Sequence, residues 1–255
     1  KTELAEIPVP SVRKGCLLIQ TSKSLISLGT ERMLLNFGKA NLIDKALQQP
    51  DKVRQTLQKA KNDGIAPTIN AVLNKLEQPL PLGYSNAGVV LEVGEGVYGF
   101  KPGDRVVSNG YHAEVVCVGA NLCAKIPDNV DDTSASFVVV SSIALEGIRL
   151  VNPTLGESVA VIGLGLVGLL TAQILLANGC RVIGFDYDSA KVKLAESYGV
   201  EAHDLSVGIN PVVAAMTFSR QNGVDAVIIT ASTTSNDPIR QAPQMCRKRG
   251  RVVLV

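Results

Sequence analysis

Residues 158–168 read SVAVIGLGLVG, and the reading of this stretch decides the fold. An apolar run rich in valine reads as a buried strand, and it breaks on Gly163, Gly165 and Gly168, spaced G-x-G-x-x-G. GLVGLLTAQILLANG then reads as a helix and RVIGFD as the next strand. Between a strand and a helix, glycine permits a tight turn and close backbone approach, while the helix offers its unpaired N-terminal amides to a pyrophosphate. Gly163, Leu164, Gly165, Leu166, Val167 and Gly168 are therefore the expected phosphate loop. Asp186 closes the next strand, where a carboxylate accepts the ribose hydroxyls of a dinucleotide. A 2′-phosphate about 4 Å from that carboxylate would be repelled by roughly 1 to 4 kcal/mol. NAD is thus expected over NADP, with Lys191 able to reach the ribose edge or offset part of the repulsion. The alternative is a glycine-rich turn that binds nothing.

Outward from this stretch, SAKVKLAESYGV reads as helix and DAVIITAS and GRVVLV as strands. Buried strands with helical crossovers specify a parallel, doubly wound sheet, expected over 143–255. Residues 159–177 are apolar enough to be taken for a membrane helix, but their glycine and polar interruptions favour a strand, turn and helix. Residues 1–142 read as a β-rich domain. CLLIQTSKSLISLG reads as strand up to about residue 30, and AGVVLEVGEGV, GDRVVSNG and HAEVVCVG as short strands punctuated by glycine. Residues 38–78 read as a helical insertion: LIDKALQQ, then DKVRQTLQKAKND, then a helix capped by Thr68 with Ile69, Val72, Leu73 and Leu76 on one face. Its excess of Lys and Arg suits either a solvated face or a patch for an acidic ligand.

The 255 residues, 46% of them hydrophobic, suffice for two domains with buried cores. A net charge of +2 without blocks of like charge gives no footprint for nucleic acid or an acidic membrane, so neither partner is expected. Five scattered cysteines without a C-x-x-C encode neither a disulfide framework nor a zinc knuckle, and a cytoplasmic location is expected. The chain lacks an initial methionine and stops on GRVVLV, and is expected to be a fragment of a longer polypeptide.

AGVVLEVGEGVYGFKPGDRVV, NPTLGESVAVIGLGLVG and the closing RGRVVLV together resemble the medium-chain dehydrogenase/reductase family. The resemblance implies a GroES-like catalytic domain over 1–142, an incomplete Rossmann domain over 143–255, an active site in the cleft between them, a small-molecule substrate and a homodimer. SLGTE, PLGYSNAGVV, KALQQPDKV and IALEGIR further resemble a zinc-free branch, found as the N-terminal half of two-module oxidoreductases of bacterial polysaccharide biosynthesis clusters. That likeness implies a fused downstream module and a sugar or nucleotide-sugar substrate.

Zinc-dependent members carry metal ligands in a C-G-T-D-like and a G-H-E motif. This chain has Leu28-Gly29-Thr30-Glu31 and Gly83-Tyr84-Ser85 at those places. Leucine cannot ligate zinc, and tyrosine and serine replace imidazole and thiolate poorly, so no zinc is expected. Without a metal, the substrate oxygen needs hydrogen-bond donors. Tyr84, protonated at neutral pH by its ordinary pKa near 10, is the expected donor, with Thr30, Glu31 and Ser85 beside it. Tyr84 could equally plug the space a metal would fill, and Thr30 and Glu31 could cap a helix. His112 could shuttle protons, but reads as a structural strand histidine, and His203 as a surface residue. A zinc-independent NAD(H)-linked oxidoreductase is the leading expectation. A reductase of activated carbon–carbon double bonds and a non-catalytic NAD(H)-binding scaffold are the alternatives.

Overall fold

The computed structural model describes residues 3–39 and 80–255, so the expected helices within 40–79 lie outside the described residues. The chain divides into two compact units, Lys1–Ser136 and Phe137–Val255.

In the first unit five antiparallel strands form one sheet in the order β4-β1-β2-β3-β5. They are β1 (Cys16–Ser24), β2 (Asn86–Val93), β3 (Arg105–Ser108), β4 (Val115–Gly119) and β5 (Cys123–Lys125). Alternation places Leu17 and Ile19 of β1 with Val90, Val106, Val116 and Val118 in one core, the period-2 signature of a strand with one buried face. On the other side Ala87 and Val107 pack with Ile126 and with Ala135 of the short helix α2 (Asp132–Ala135). Asp132 anchors that helix, accepting from Ser22 Oγ at 2.5 Å and from Arg105 Nη2 at 2.6 Å. The Ser22 hydroxyl and the Arg105 guanidinium hold its carboxyl below the ordinary carboxylate range. A carboxyl depressed by folding contributes its stability above the unfolded pKa and loses it as pH falls through the folded value.

The strand expected to run to about residue 30 instead stops at Ser24, and helix α1 (Leu28–Lys39) follows. The cause is a local hydrogen bond: Glu31 reaches back one turn and its Oε1 accepts the Ser27 amide at 2.9 Å, as acidic residues do in a helix's first turn.

The second unit is a parallel sheet in the order β10-β9-β6-β7-β8. Its strands are β6 (Ser158–Ile162), β7 (Arg181–Asp186), β8 (Glu201–Asp204), β9 (Val224–Ile229) and β10 (Cys246–Leu254). Helices cover both faces, so the inner strands β6, β7 and β9 are largely apolar along their length. Val159 and Val161 of β6 point into one core with Ala172, Leu175, Val192 and Ala195. Ala160 and Ile162 point into the other with Ala215, Phe218, Ala242 and Met245. The first core is built against α3 (Val138–Val151), α4 (Leu166–Ala177) and α5 (Ser189–Ser197), the second against α6 (Pro211–Phe218) and α7 (Asp237–Met245). Helix α3 runs through position 142/143, where the sequence reading divides the chain. The apolar run 159–177 resolves into most of β6, a glycine turn and the twelve residues of α4. Among the described residues no helix is long and apolar enough to cross a membrane.

His203, expected at the surface, is half-buried on the edge strand β8, its ring stacked 5.8 Å from that of the fully buried Phe185. Burial pushes the Cys123 thiol up to about 11 and raises those of Cys180 and Cys246. These three stay protonated at neutral pH and act as packing groups, not as nucleophiles.

The tightest helix-to-strand approach is at Gly168, where a Cβ would overlap the Gly163 carbonyl oxygen and lie 2.7 Å from Thr230 Oγ1. Gly168→Ala is expected to lower stability by about 1–3 kcal/mol, as overpacking does, read by urea denaturation.

Candidate functional site

Among the described residues, the candidates that the sequence singles out lie at two places, one in each unit. In the second unit β6 is the central strand; β7 and β8 lie to one side and β9 and β10 to the other. The order reverses at the carboxyl end of β6, which is where ligands of open parallel sheets bind. Gly163 makes the turn with φ +95°, a conformation L side chains rarely adopt, and its amide donates to Phe185 O at 2.8 Å. Gly165 then serves as N-cap of α4 in extended conformation, with open space where a Cβ would stand. Its neighbours Leu166 and Val167 are half-buried and open the helix. The first-turn amides of α4 have no carbonyl within their own helix to pair with, and the helix dipole adds partial positive charge there. A glycine with open space in front of it, at the start of such a helix, fits a pyrophosphate.

Leu164 divides its roles. Its side chain is fully buried in the core, and its amide donates to Asp186 Oδ2 at 2.8 Å. Asp186 Oδ1 accepts the Asp188 amide at 2.9 Å. The carboxylate at the end of β7 is thereby held by two backbone donors, with further lone pairs left for hydroxyl groups. Lys191 stands 3.7 Å from both Asp186 Oδ1 and Asp188 Oδ2. The two acidic groups share one ammonium, so Lys191 offsets only part of the charge that a 2′-phosphate would meet.

Sequence reading passed over Thr230, just past the end of β9. Its hydroxyl donates to Gly163 O at 2.6 Å and braces the turn from across the reversal point. Its pairing partner lies 67 residues away, which no local motif announces.

In the first unit the structure brings Thr30 and Tyr84 together, Oγ1 to OH at 3.4 Å. This is long for a hydroxyl pair, as catalytic hydrogen bonds often are before substrate arrives. Both residues are half-buried. Glu31 is 6% exposed and its carboxylate turns to the Ser27 amide and to His112 Nε2, the latter at 3.2 Å. It serves the helix start rather than Tyr84. Ser85 is also turned away: 1% exposed, it donates its hydroxyl to Ser136 O at 2.6 Å. Asn86, fully buried, donates to Thr21 Oγ1 at 2.6 Å. The sequence reading of His112 as a strand residue is corrected as well, since it lies in the loop before β4.

Leu28 and Tyr84 occupy the two motif places, Ser85 spends its hydroxyl on a backbone carbonyl, and thiolate or imidazole ligands are what structural and catalytic zinc takes. Among the described residues no cluster of three or more His, Cys, Asp or Glu is arranged to hold a metal ion.

Comparison with known proteins gives two family matches. An alcohol dehydrogenase GroES-like domain matches residues 63–128, and a zinc-binding dehydrogenase domain matches residues 167–255. Acryloyl-coenzyme A reductase of Metallosphaera sedula is 28% identical over 198 residues, covering 64% of this chain and 57% of the relative. Alcohol dehydrogenase of Geobacillus stearothermophilus is 27% identical over 213 residues, covering 71% of this chain and 62% of the relative. The chain thus spans about three fifths of the length of these curated relatives. Among solved structures, 2R,3R-butanediol dehydrogenase of Bacillus subtilis superposes with a TM-score of 0.74 at 22% identity, over 99% of this chain and 73% of the other. A protein of Sinorhizobium meliloti 1021 bound to NADP and described as a zinc-binding dehydrogenase gives 0.74 at 23% identity, over 97% and 71%. At this identity the superpositions show a shared fold: a GroES-like domain followed by a Rossmann-type parallel sheet.

Asp186→Ser is expected to narrow the affinity gap between NADH and NADPH about tenfold or more, the lower half of the repulsion estimated above. Paired calorimetric titrations check it, and an unchanged ratio would remove Asp186 from cofactor choice.

Proposed function

Taking as premise the medium-chain dehydrogenase/reductase family, which both matched domains and the alcohol dehydrogenase relative support, we propose a zinc-independent, NAD(H)-linked oxidoreductase of alcohols and carbonyls. The observation that carries this reading is the hydroxyl pairing of Tyr84 with Thr30, two residues that the sequence resemblance sets in the motifs that carry metal ligands in zinc-dependent members.

Gly163, Gly165 and Gly168 with the first turn of α4 would hold the pyrophosphate, and Asp186 the ribose. Bound there, the nicotinamide cofactor supplies or accepts the hydride. The rest of the chemistry falls to the side chains. During reduction of a carbonyl, negative charge develops on oxygen, and a preplaced hydroxyl donor stabilises it. The Tyr84 phenol donates that hydrogen bond and then its proton; Thr30, within reach of the phenol oxygen, donates in turn to the phenolate. A phenol is a better donor than base at neutral pH, so the reducing direction is favoured.

NAD preference over NADP belongs to the same proposal. So do a sugar or nucleotide-sugar substrate, a homodimer, a cytoplasmic location, a fused downstream module, and a division of labour between domains at 1–142 and 143–255. A second reading, reduction of an activated carbon–carbon double bond, draws support from the similarity to acryloyl-coenzyme A reductase. It too needs one hydride and one proton donor.

The test is NADH oxidation by the full-length chain, freed of metal by chelation, against dihydroxyacetone, acetoin, fructose and, for the second reading, acryloyl-coenzyme A. Turnover of a carbonyl without zinc is the expected result, and Tyr84→Phe is expected to lower kcat about 10²- to 10³-fold, the usual loss of one oxyanion donor. Full turnover in Tyr84→Phe, or activity restored only by added zinc, would overturn the mechanism. Consumption of acryloyl-coenzyme A alone would favour the second reading.

A further inference from the structure

We infer that His112 is a positioning residue that sets the Tyr84 phenol against Thr30; its catalytic consequence rests on the function proposed above. Four separate contacts converge on this one residue. Its amide donates to Leu82 O at 2.7 Å. Its ring lies so close to Gly83 that a Cβ there would stand 2.7 Å from three ring atoms, and Gly83 has φ +90° besides. Nε2 meets Glu31 Oε1 at 3.2 Å, and Nδ1 meets Ser24 Oγ at 2.9 Å. The neutral imidazole satisfies both partners when Nε2 donates to the carboxylate and Nδ1 accepts from the serine hydroxyl.

The arrangement matters because of what stands next in the chain. Glu31 adjoins Thr30, and Gly83 adjoins Tyr84. Each of the two facing hydroxyls is therefore one residue from a group that His112 grips. The imidazole bridges the start of α1, the end of β1 and the 82–84 turn, and its partners Glu31 and Ser24 lie 81 and 88 residues before it along the chain. Glu31 is buried, and a buried carboxylate is costly unless hydrogen-bonded. Its two donors, the Ser27 amide and His112, fix the first turn of α1 that carries Thr30. Gly83 admits the ring where any other residue would collide with it. Beside the imidazole, the Tyr84 turn is held toward α1 by the Leu25 amide, which donates to Ser85 O at 3.0 Å, and by the 3.4 Å hydroxyl pair itself, and of these only the imidazole grips residues next to both hydroxyls. A positional error of about 1 Å at a reacting group can cost about 10²-fold in rate.

The test uses the full-length chain labelled with ¹³C at the tyrosine ζ carbon. Of its five tyrosines, Tyr84 is assigned by the signal lost in Tyr84→Phe. In His112→Phe the Tyr84 resonance and its alkaline titration midpoint are expected to move, while the exposed Tyr98 and Tyr187 stay unchanged and report an intact fold. His112→Gln, which keeps an amide nitrogen within reach of Glu31, is expected to restore the Tyr84 signal in large part. In NADH oxidation with the best carbonyl of the panel above, His112→Phe is expected to lower kcat about 10- to 100-fold, with KM for NADH little changed. In the Tyr84→Phe background the same substitution is expected to add almost nothing. An unmoved Tyr84 resonance in the folded His112→Phe protein would overturn the inference, and so would equal kcat losses in the two backgrounds. A moved resonance in a protein that turns over no carbonyl would uphold the positioning and refute the proposed activity instead.

Discussion

The second unit depends on one close approach, that of the first turn of α4 to the carbonyl of Gly163. Gly168 packs where a methyl group would overlap that oxygen, and Thr230 donates to the same oxygen from the end of β9. The helix N-terminus is thereby drawn to the carboxyl end of the central strand, at the point where strand order reverses. The two apolar cores on either face of the sheet keep it there. A cradle for an anionic group follows from packing: small residues let the backbone in, and the helix brings its unpaired amides with it.

The first unit solves a different problem, which is how to hold polar side chains in a small antiparallel sheet. Asn86 and Ser108 are fully buried and bonded to one another and to Thr21 and Gly110. That network pins the start of β2, directly after Tyr84 and Ser85. Glu31 and His112 form a second network on the α1 side. Buried polar groups that are fully partnered are rigid, and Tyr84 sits between two such networks.

Much of this was legible in the sequence, for reasons that differ between the units. The strand, glycine turn and helix at 158–177 are encoded locally, in residue size and period, and Asp186 follows at a spacing set by one helix and one strand. The β-rich reading of the first unit was right in kind and wrong at Ser24–Leu28, where propensity favoured strand and a side-chain bond from Glu31 to the Ser27 amide started a helix. The helix-start role of Glu31 was legible as one of two readings, but its bond to His112 and the partner of Ser85 were not. Each depends on a partner brought near by strand pairing: Glu31 and His112 are 81 residues apart, Ser85 and Ser136 are 51. Residue type alone makes Ser85 a donor candidate, and only register reveals that its hydroxyl is already given to a backbone carbonyl. His203 shows the same limit, since a histidine after a helix reads as exposed until Phe185 is found beneath it.

The central claim is that a dinucleotide lies along the turn 163–168, and isothermal titration of the folded full-length chain with NADH tests it most directly. The account predicts saturable binding of one dinucleotide per chain, abolished by a bulky leucine in place of Gly165, where the structure leaves open space. A folded protein that gives no heat and no saturation, or binds NADH equally well with that leucine in place, would contradict it.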